Sequence, residues 1–251
     1  MKTPYSEHAA YWDWDAFEDV AEQEFWYVMS RKYGKKILSA MCALGKTAAY
    51  LVRQGCQVTA LDLTPEMILE GEKRYGALPG LQFVQGNVCD FRLTAQDYDF
   101  CFIAGTDLHL LPSLEHVKSA LRCMRAHLRP VGGLGLGVWY ADTMRHSFSV
   151  PMRRFEPRVP RGDGFSIWKE GESFFDAETK VQHIHQLVHI DDPRAPKVFT
   201  YDVTQQLYSR DELLAALNAC GFQLAGQYCD YDLHTSEDMF SNCYLELRAM
   251  P

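Results

Sequence analysis

Asp62 is the side chain best placed to do chemistry. It closes the run Val58-Thr59-Ala60-Leu61-Asp62, and Pro65 follows three residues later. A carboxylate ending the second strand of a parallel sheet can accept hydrogen bonds from both hydroxyls of a ribose, so it points to a nucleoside-containing cofactor. His109 follows another apolar run, Tyr98 to Ala104, and is the candidate general base or substrate orienter; its bland role is a histidine bonded to backbone. His183, His185 and His189 share one face if residues 180 to 190 are a strand. An H-x-H pair can hold a metal through neutral imidazoles, but we expect no metal. Either the three face solvent, or one of them, His185, meets a substrate and works as a base. Arg153, Arg154, Arg158 and Arg161 form the basic cluster, read as a solvated loop or as a site for a carboxylate or phosphate. Tyr201 and Tyr208 are hydroxyl donors for a cleft or packing residues.

The elements that must position these groups start with Lys35 to Arg74. The spacing predicts a buried strand (Lys36-Ile37-Leu38), a tight turn (Ser39 to Gly45), a helix (Lys46 to Arg53), and a strand (Gln57 to Leu61). A helix opened by Pro65 follows, which completes a βαβ unit, and such sheets bind ligands at the carboxyl ends of their strands. The helix after the first strand also presents unpaired N–H groups there. Further strands are expected at Leu81 to Gln85, Tyr98 to Ala104 and Leu134 to Tyr140, after a turn at Pro130 to Gly133. A helix with apolar residues at helical spacing covers Leu114 to Leu128. Alternation of strand and helix argues a doubly wound, mainly parallel sheet. Residues 143–206 break the pattern with β-rich stretches and predict an inserted antiparallel cap. Ser209-Arg210-Asp211-Glu212 has N-cap spacing, Gly221 stops that helix, and Phe222 to Tyr228 with Asn242 to Ala249 form a closing antiparallel pair. The domain reading is an N-terminal helical lid (1–34), an α/β core (35–142 and 207–251) and the cap (143–206). Within the lid, Asp15 to Ser30 fits an amphipathic helix whose aromatics either pack onto the sheet or cover a ligand.

Composition sets the outer bounds. The chain has 251 residues, 47% hydrophobic and 23% charged, as in a globular protein. A net charge of −8 with scattered basic residues gives no reason to expect nucleic-acid binding. The eight cysteines form no C-x-x-C pair, so they are expected to be reduced thiols and not a disulfide framework. No leader or long apolar span is visible, so a cytoplasmic protein without membrane attachment is expected.

Several phrases in order give the chain a resemblance. They are Val58 to Ile68, then Phe83-Val84-Gln85-Gly86-Asn87-Val88-Cys89-Asp90-Phe91, then Tyr98 to Ile103 with His109-Leu110, and last Tyr208 to Leu214 through Cys220-Gly221-Phe222. Together the sequence resembles class I S-adenosylmethionine-dependent methyltransferases of the small-molecule type, over nearly its whole length. The resemblance implies a seven-stranded Rossmann-like sheet, S-adenosylmethionine as cofactor, and a small-molecule acceptor with an O, N or C nucleophile. It also implies that Asp62 holds the ribose, that Leu63 and Met67 flank the adenine, and that Asn87 and Val88 reach its edge. Ile103 and Ala104 would lie beside the methionine portion, and an aromatic lid would suit the sulfonium.

The first turn departs from that family. An acidic residue and alternate glycines are usual there, whereas this chain has Ser39, Met41, Ala43 and Gly45 at the cofactor-binding positions. Glycine permits left-handed dihedrals and close approach of a ligand to backbone, so a degenerate turn leaves a non-catalytic binding protein as one alternative. A second comes from Ala40-Met41-Cys42-Ala43-Leu44-Gly45-Lys46-Thr47, which nearly fits G-x-x-x-x-G-K-[ST]. In a P-loop hydrolase Lys46 would reach phosphates and Thr47 would bind Mg²⁺.

Overall fold

The computed structural model describes residues 5–7, 9–12, 20–144, 152–160, 164–237 and 242–250. Strand β1 (Lys36–Ala40) pairs in parallel with β2 (Gln57–Asp62), from Lys36↔Gln57 to Ala40↔Leu61. Ile37, Leu38, Ser39 and Ala40 are all buried, as a strand covered on both faces requires. Between them runs α2 (Lys46–Arg53), which sets Ala48, Ala49, Leu51 and Val52 against the sheet. Helix α3 (Pro65–Tyr75) starts on proline, whose missing N–H costs no helical bond at that position. The sheet grows through β3 (Leu81–Gln85) beside β2 and β4 (Tyr98–Ile103) beside β1.

Helix α4 (Leu114–His127) is capped by Ser113 and runs straight into β5 (Leu128–Val138). The turn expected at Pro130 to Gly133 is absorbed into that strand. Its register against β4 slips between Tyr98↔Leu128 and Phe100↔Gly133, so the extra residues form a bulge and not a break.

The earliest helix, α1 (Val20–Arg31), buries Phe25, Trp26 and Met29 in the layer behind the sheet. The reason lies in β5, where Gly133 and Gly135 leave one face without side chains. A Cβ added at Gly135 would lie 2.4 Å from the Trp26 ring, and one at Gly133 2.6 Å from the Tyr33 ring. The Trp26 ring, fully buried there, contributes roughly 3 kcal/mol. The expected helix Asp15 to Ser30 is present from Val20 onward, and residues 13–19 lie outside the described residues. Phe25 and Trp26 of this helix serve the core. What covers the ligand edge of the sheet is the segment ahead of it: Tyr5, a 3₁₀ turn at Ala9–Tyr11, and Trp12. Ala9 packs with Leu44 and Met67, and Ser6 donates to Glu66 on α3 at 3.0 Å.

After a short helix α5 (Ala141–Met144) comes a four-stranded antiparallel sheet of β6 (Met152–Pro160), β7 (Ser166–Asp176), β8 (Val181–Asp191) and β9 (Lys197–Gln206), in that order. Tyr11 joins it to the N-terminal segment through Phe199, with ring centroids 5.7 Å apart. Helix α6 (Arg210–Ala219) follows, with Ser209 and Glu212 closing a reciprocal capping box. Strands β10 (Phe222–Cys229) and β11 (Cys243–Ala249) complete the main sheet in the order β10-β11-β5-β4-β1-β2-β3. The expected fold is present: a seven-stranded, mainly parallel sheet with a separate antiparallel one.

Candidate active site

Asp62 anchors the edge where β1, β2 and β4 end. Its Oδ2 accepts the Ala43 N–H and its Oδ1 the Thr64 N–H, each at 2.8 Å. Burial raises its pKa, and the N–H groups of Thr64 and Ala43 work against that rise. The turn it holds has the backbone of a glycine-rich turn without the glycines: Met41, Ala43 and Gly45 have φ of 53°, 48° and 73°. Only the last position also lacks room for a side chain, since a Cβ on Gly45 would lie 2.6 Å from the Phe83 ring. Steric necessity thus explains which glycine the sequence kept.

Two adjoining cavities lie over this turn. The first, ≈ 350 Å³, is walled by Asp62, Leu63, Met67, Asn87 and Val88, with Tyr5 over it. The second, ≈ 200 Å³, is walled by Ser39, Met41, Lys46, Ala104, Gly105 and Glu22. Trp12, Met41, Ala43 and Asp107 belong to both. The first has a carboxylate for a diol and apolar side chains for a flat ring; the second is shorter and charged. Nine of the eleven cofactor positions expected from sequence line one or the other. The exceptions are Gly45, which sits beneath the turn against Phe83, and Ile103, which is wholly buried in the main core.

The group that sequence reasoning missed is Asp107, at the seam of the two cavities. Burial, then repulsion from Asp62 and Glu22, pushes its pKa up to about 7. Tyr5 and Tyr201 meet edge-on at 5.8 Å above it, and burial is the main cause that pushes the Tyr201 hydroxyl up to about 12. Strand β9 also brings Gln205, whose Nε2 donates to Thr106 Oγ1 at 3.3 Å while its buried Oε1 has no hydrogen-bond partner. Asp107 stands two residues before His109 in Gly105-Thr106-Asp107-Leu108-His109.

His109 is corrected on geometry. It is fully buried, its Nδ1 lies 3.0 Å from the Gln206 carbonyl, and its Nε2 accepts the Trp139 N–H at 3.0 Å. Such an imidazole is a neutral tie between two backbones with no nitrogen left for a substrate, and burial holds its pKa down at about 4. His185 is corrected too. Along β8 the side chains of Gln182, Gln186, Val188 and Ile190 are buried, so the alternate face carrying His183, His185 and His189 turns outward. His185 pairs with exposed Asp202, and His189 stacks on Trp168 at 3.6 Å. Of the arginine cluster, Arg158 pairs with Asp191, the side chains of Arg153 and Arg154 are not described, and Arg161 lies outside the described residues. Tyr208 is buried away from both cavities.

The backbone of the same turn weighs against the P-loop alternative. A phosphate cradle needs free N–H groups, but Cys42 N–H donates to Leu61, Ala43 N–H to Asp62, and Gly45 N–H to Cys42. A buried carboxylate in the cavity also repels phosphate. Among the described residues no group of His, Cys, Asp or Glu could hold a metal ion, and no helix is long and apolar enough to cross a membrane. None of the eight cysteines is in a disulfide.

Residues 37–132 match the family model described as a methyltransferase domain. The search of curated proteins finds no match. Among solved structures the chain is similar to the CcbJ methyltransferase of Streptomyces caelestis, at 18% identity over 98% of this chain and 96% of that one, with a TM-score of 0.76. It is similar to the sugar N-methyltransferase KedS8 of Streptoalloteichus sp ATCC 53650, at 19% identity over 92% and 88%, with a TM-score of 0.75. A third is CalS10 of Micromonospora echinaspora, an amino pentose methyltransferase solved with S-adenosylmethionine bound, at 20% identity over 99% and 92%, with a TM-score of 0.69. Residues 37–132 thus match a methyltransferase domain, and the whole chain shares the fold of these solved methyltransferases.

Proposed function

We propose that the protein methylates an amine on a small, sugar-like acceptor, with Asp107 as the proton acceptor. The carrying observation is the place of the Asp107 carboxylate at the seam of the two cavities, near Asp62 and Glu22, where burial pushes its pKa up to about 7. That field attracts an ammonium, and a group poised near neutrality can take its proton. The names of KedS8 and CalS10, a sugar N-methyltransferase and an amino pentose methyltransferase, agree with this class of acceptor.

In this reading the first cavity takes the nucleoside, with Asp62 on the ribose, Leu63 and Met67 beside the adenine, and Asn87 and Val88 at its edge. Bound S-adenosylmethionine supplies a methyl group on a sulfonium. Tyr5 and Trp12, together with β9, close the site from above and keep water out. Gln205 Oε1, which is orphaned in the protein alone, accepts an N–H or O–H of the acceptor. Asp107 takes a proton from the bound ammonium, and the freed nitrogen lone pair would then accept the methyl group as its bond to sulfur breaks and the sulfonium becomes a neutral thioether. Because methyl transfer needs in-line approach more than covalent catalysis, no nucleophilic side chain is required.

The test is a methyl-transfer assay on paired acceptors, an amino sugar and its hydroxyl counterpart, across pH 5.5–9 (an assay range of about neutral pH). Turnover should favour the amine and rise as pH passes about 7, where Asp107 becomes the free carboxylate. Asp107→Asn should cost roughly 10²-fold or more in kcat. Preference for the hydroxyl acceptor, or an unchanged rate in the variant, would overturn the assignment.

A further inference from the structure

Where related first turns begin with an acidic residue, this chain has Ser39, so the second cavity lacks its expected carboxylate from β1. Another element delivers one. Glu22, in the first turn of α1, lines the same cavity as Ser39 and Ala104. Its Oε1 accepts the Gly105 N–H at 3.0 Å and the Trp26 indole N–H at 3.3 Å. Trp26 is itself fixed, being buried and stacked on Phe102 at 5.1 Å. The carboxylate is therefore held at the loop after β4 by one backbone and one side-chain donor. Lys46 is the basic side chain among the described residues lining that cavity, which also holds the Glu22 and Asp107 carboxylates. An α-amino acid group carries a charge of each sign.

We propose that Glu22 replaces the missing carboxylate and binds the α-ammonium of the cofactor's methionine portion, so that an N-terminal helix, and not the first strand, completes the cofactor site. This rests on the cofactor assignment above. The nucleoside half is held at Asp62 in the other cavity, so a ligand that ends at the sulfur does not need Glu22.

The experiment is calorimetric titration of the full chain and of Glu22→Gln with S-adenosylhomocysteine and with 5′-methylthioadenosine, which has the nucleoside and sulfur but no amino-acid group. Glutamine keeps the shape and an acceptor for Gly105. Loss of one charge-assisted contact should weaken S-adenosylhomocysteine by ~10-fold to 100-fold, while 5′-methylthioadenosine changes less than about twofold. Equal weakening of both ligands would make Glu22 a structural residue, and no weakening of either would remove it from the site. Failure of the unaltered protein to bind either ligand would instead overturn the cofactor assignment and the inference with it.

Discussion

Met41 and Ala43 hold left-handed backbone with side chains in place, and that strain is a residue-scale property with a measurable cost. Relief of the Cβ clash gains about 1–2 kcal/mol and the added freedom of an unfolded glycine loses about 0.5–1. Ala43→Gly should therefore raise stability by roughly 0.5–1 kcal/mol, read as a higher urea midpoint at unchanged slope. A lower midpoint would mean that Ala43 packs in a way that outweighs its dihedral. The first turn also shows what letters hide: a turn with a single glycine reads as degenerate, yet Asp62 holds Ala43 in the same conformation by accepting its N–H. Asp107 was illegible for the converse reason. An aspartate ordinarily titrates near 3.8, and only burial beside Asp62 and Glu22 brings it to about 7, whereas His109, chosen for its ordinary pKa, is moved out of range by the same burial.

At the scale of elements, His109 bolts the end of β9 to the residue after β5. Its folded pKa is depressed from 6.5 to about 4, so the neutral form is the folded one, and its contribution is lost as pH falls from about 6.5 through about 4. His109→Leu should leave the Gln206 carbonyl and Trp139 N–H unpaired in the core and cost about 2–4 kcal/mol. Thermal unfolding at pH 7 would show this, with kcat of the surviving folded enzyme changed far less than by Asp107→Asn. A large kcat loss in a variant of native stability would restore His109 to the chemistry. The cap argues the opposite case. Since β8 alternates, His185→Ala removes an exposed pair worth about 0–1 kcal/mol and should change kcat/KM by less than about twofold. A tenfold fall would place that outer face in contact with substrate. Strand existence was legible from β-rich runs, but which face turned inward was not, because the histidines and the buried glutamines Gln182 and Gln186 are equally polar in the sequence.

At the scale of the molecule, three parts meet over one sheet edge: the α/β core supplies Asp62 and Asp107, the inserted sheet supplies Tyr201 and Gln205, and the N-terminal segment supplies Tyr5 and Trp12. The core's strand and helix order was legible from apolar runs and periodicity, because fully buried parallel strands read as unbroken hydrophobic stretches. How the aromatic N-terminus divides between core and cover was not, since it depends on the glycine face of β5 that Trp26 and Tyr33 fill. In the proposed function the paired cavities hold S-adenosylmethionine with Asp62 on the ribose. Calorimetric titration of the protein and of Asp62→Asn with S-adenosylmethionine, beside Mg·ATP, tests it most directly. Saturable S-adenosylmethionine binding should fall ~10-fold to 100-fold in the variant, with no Mg·ATP binding; S-adenosylmethionine affinity that is unchanged in Asp62→Asn, or saturable binding of Mg·ATP alone, would overturn the assignment.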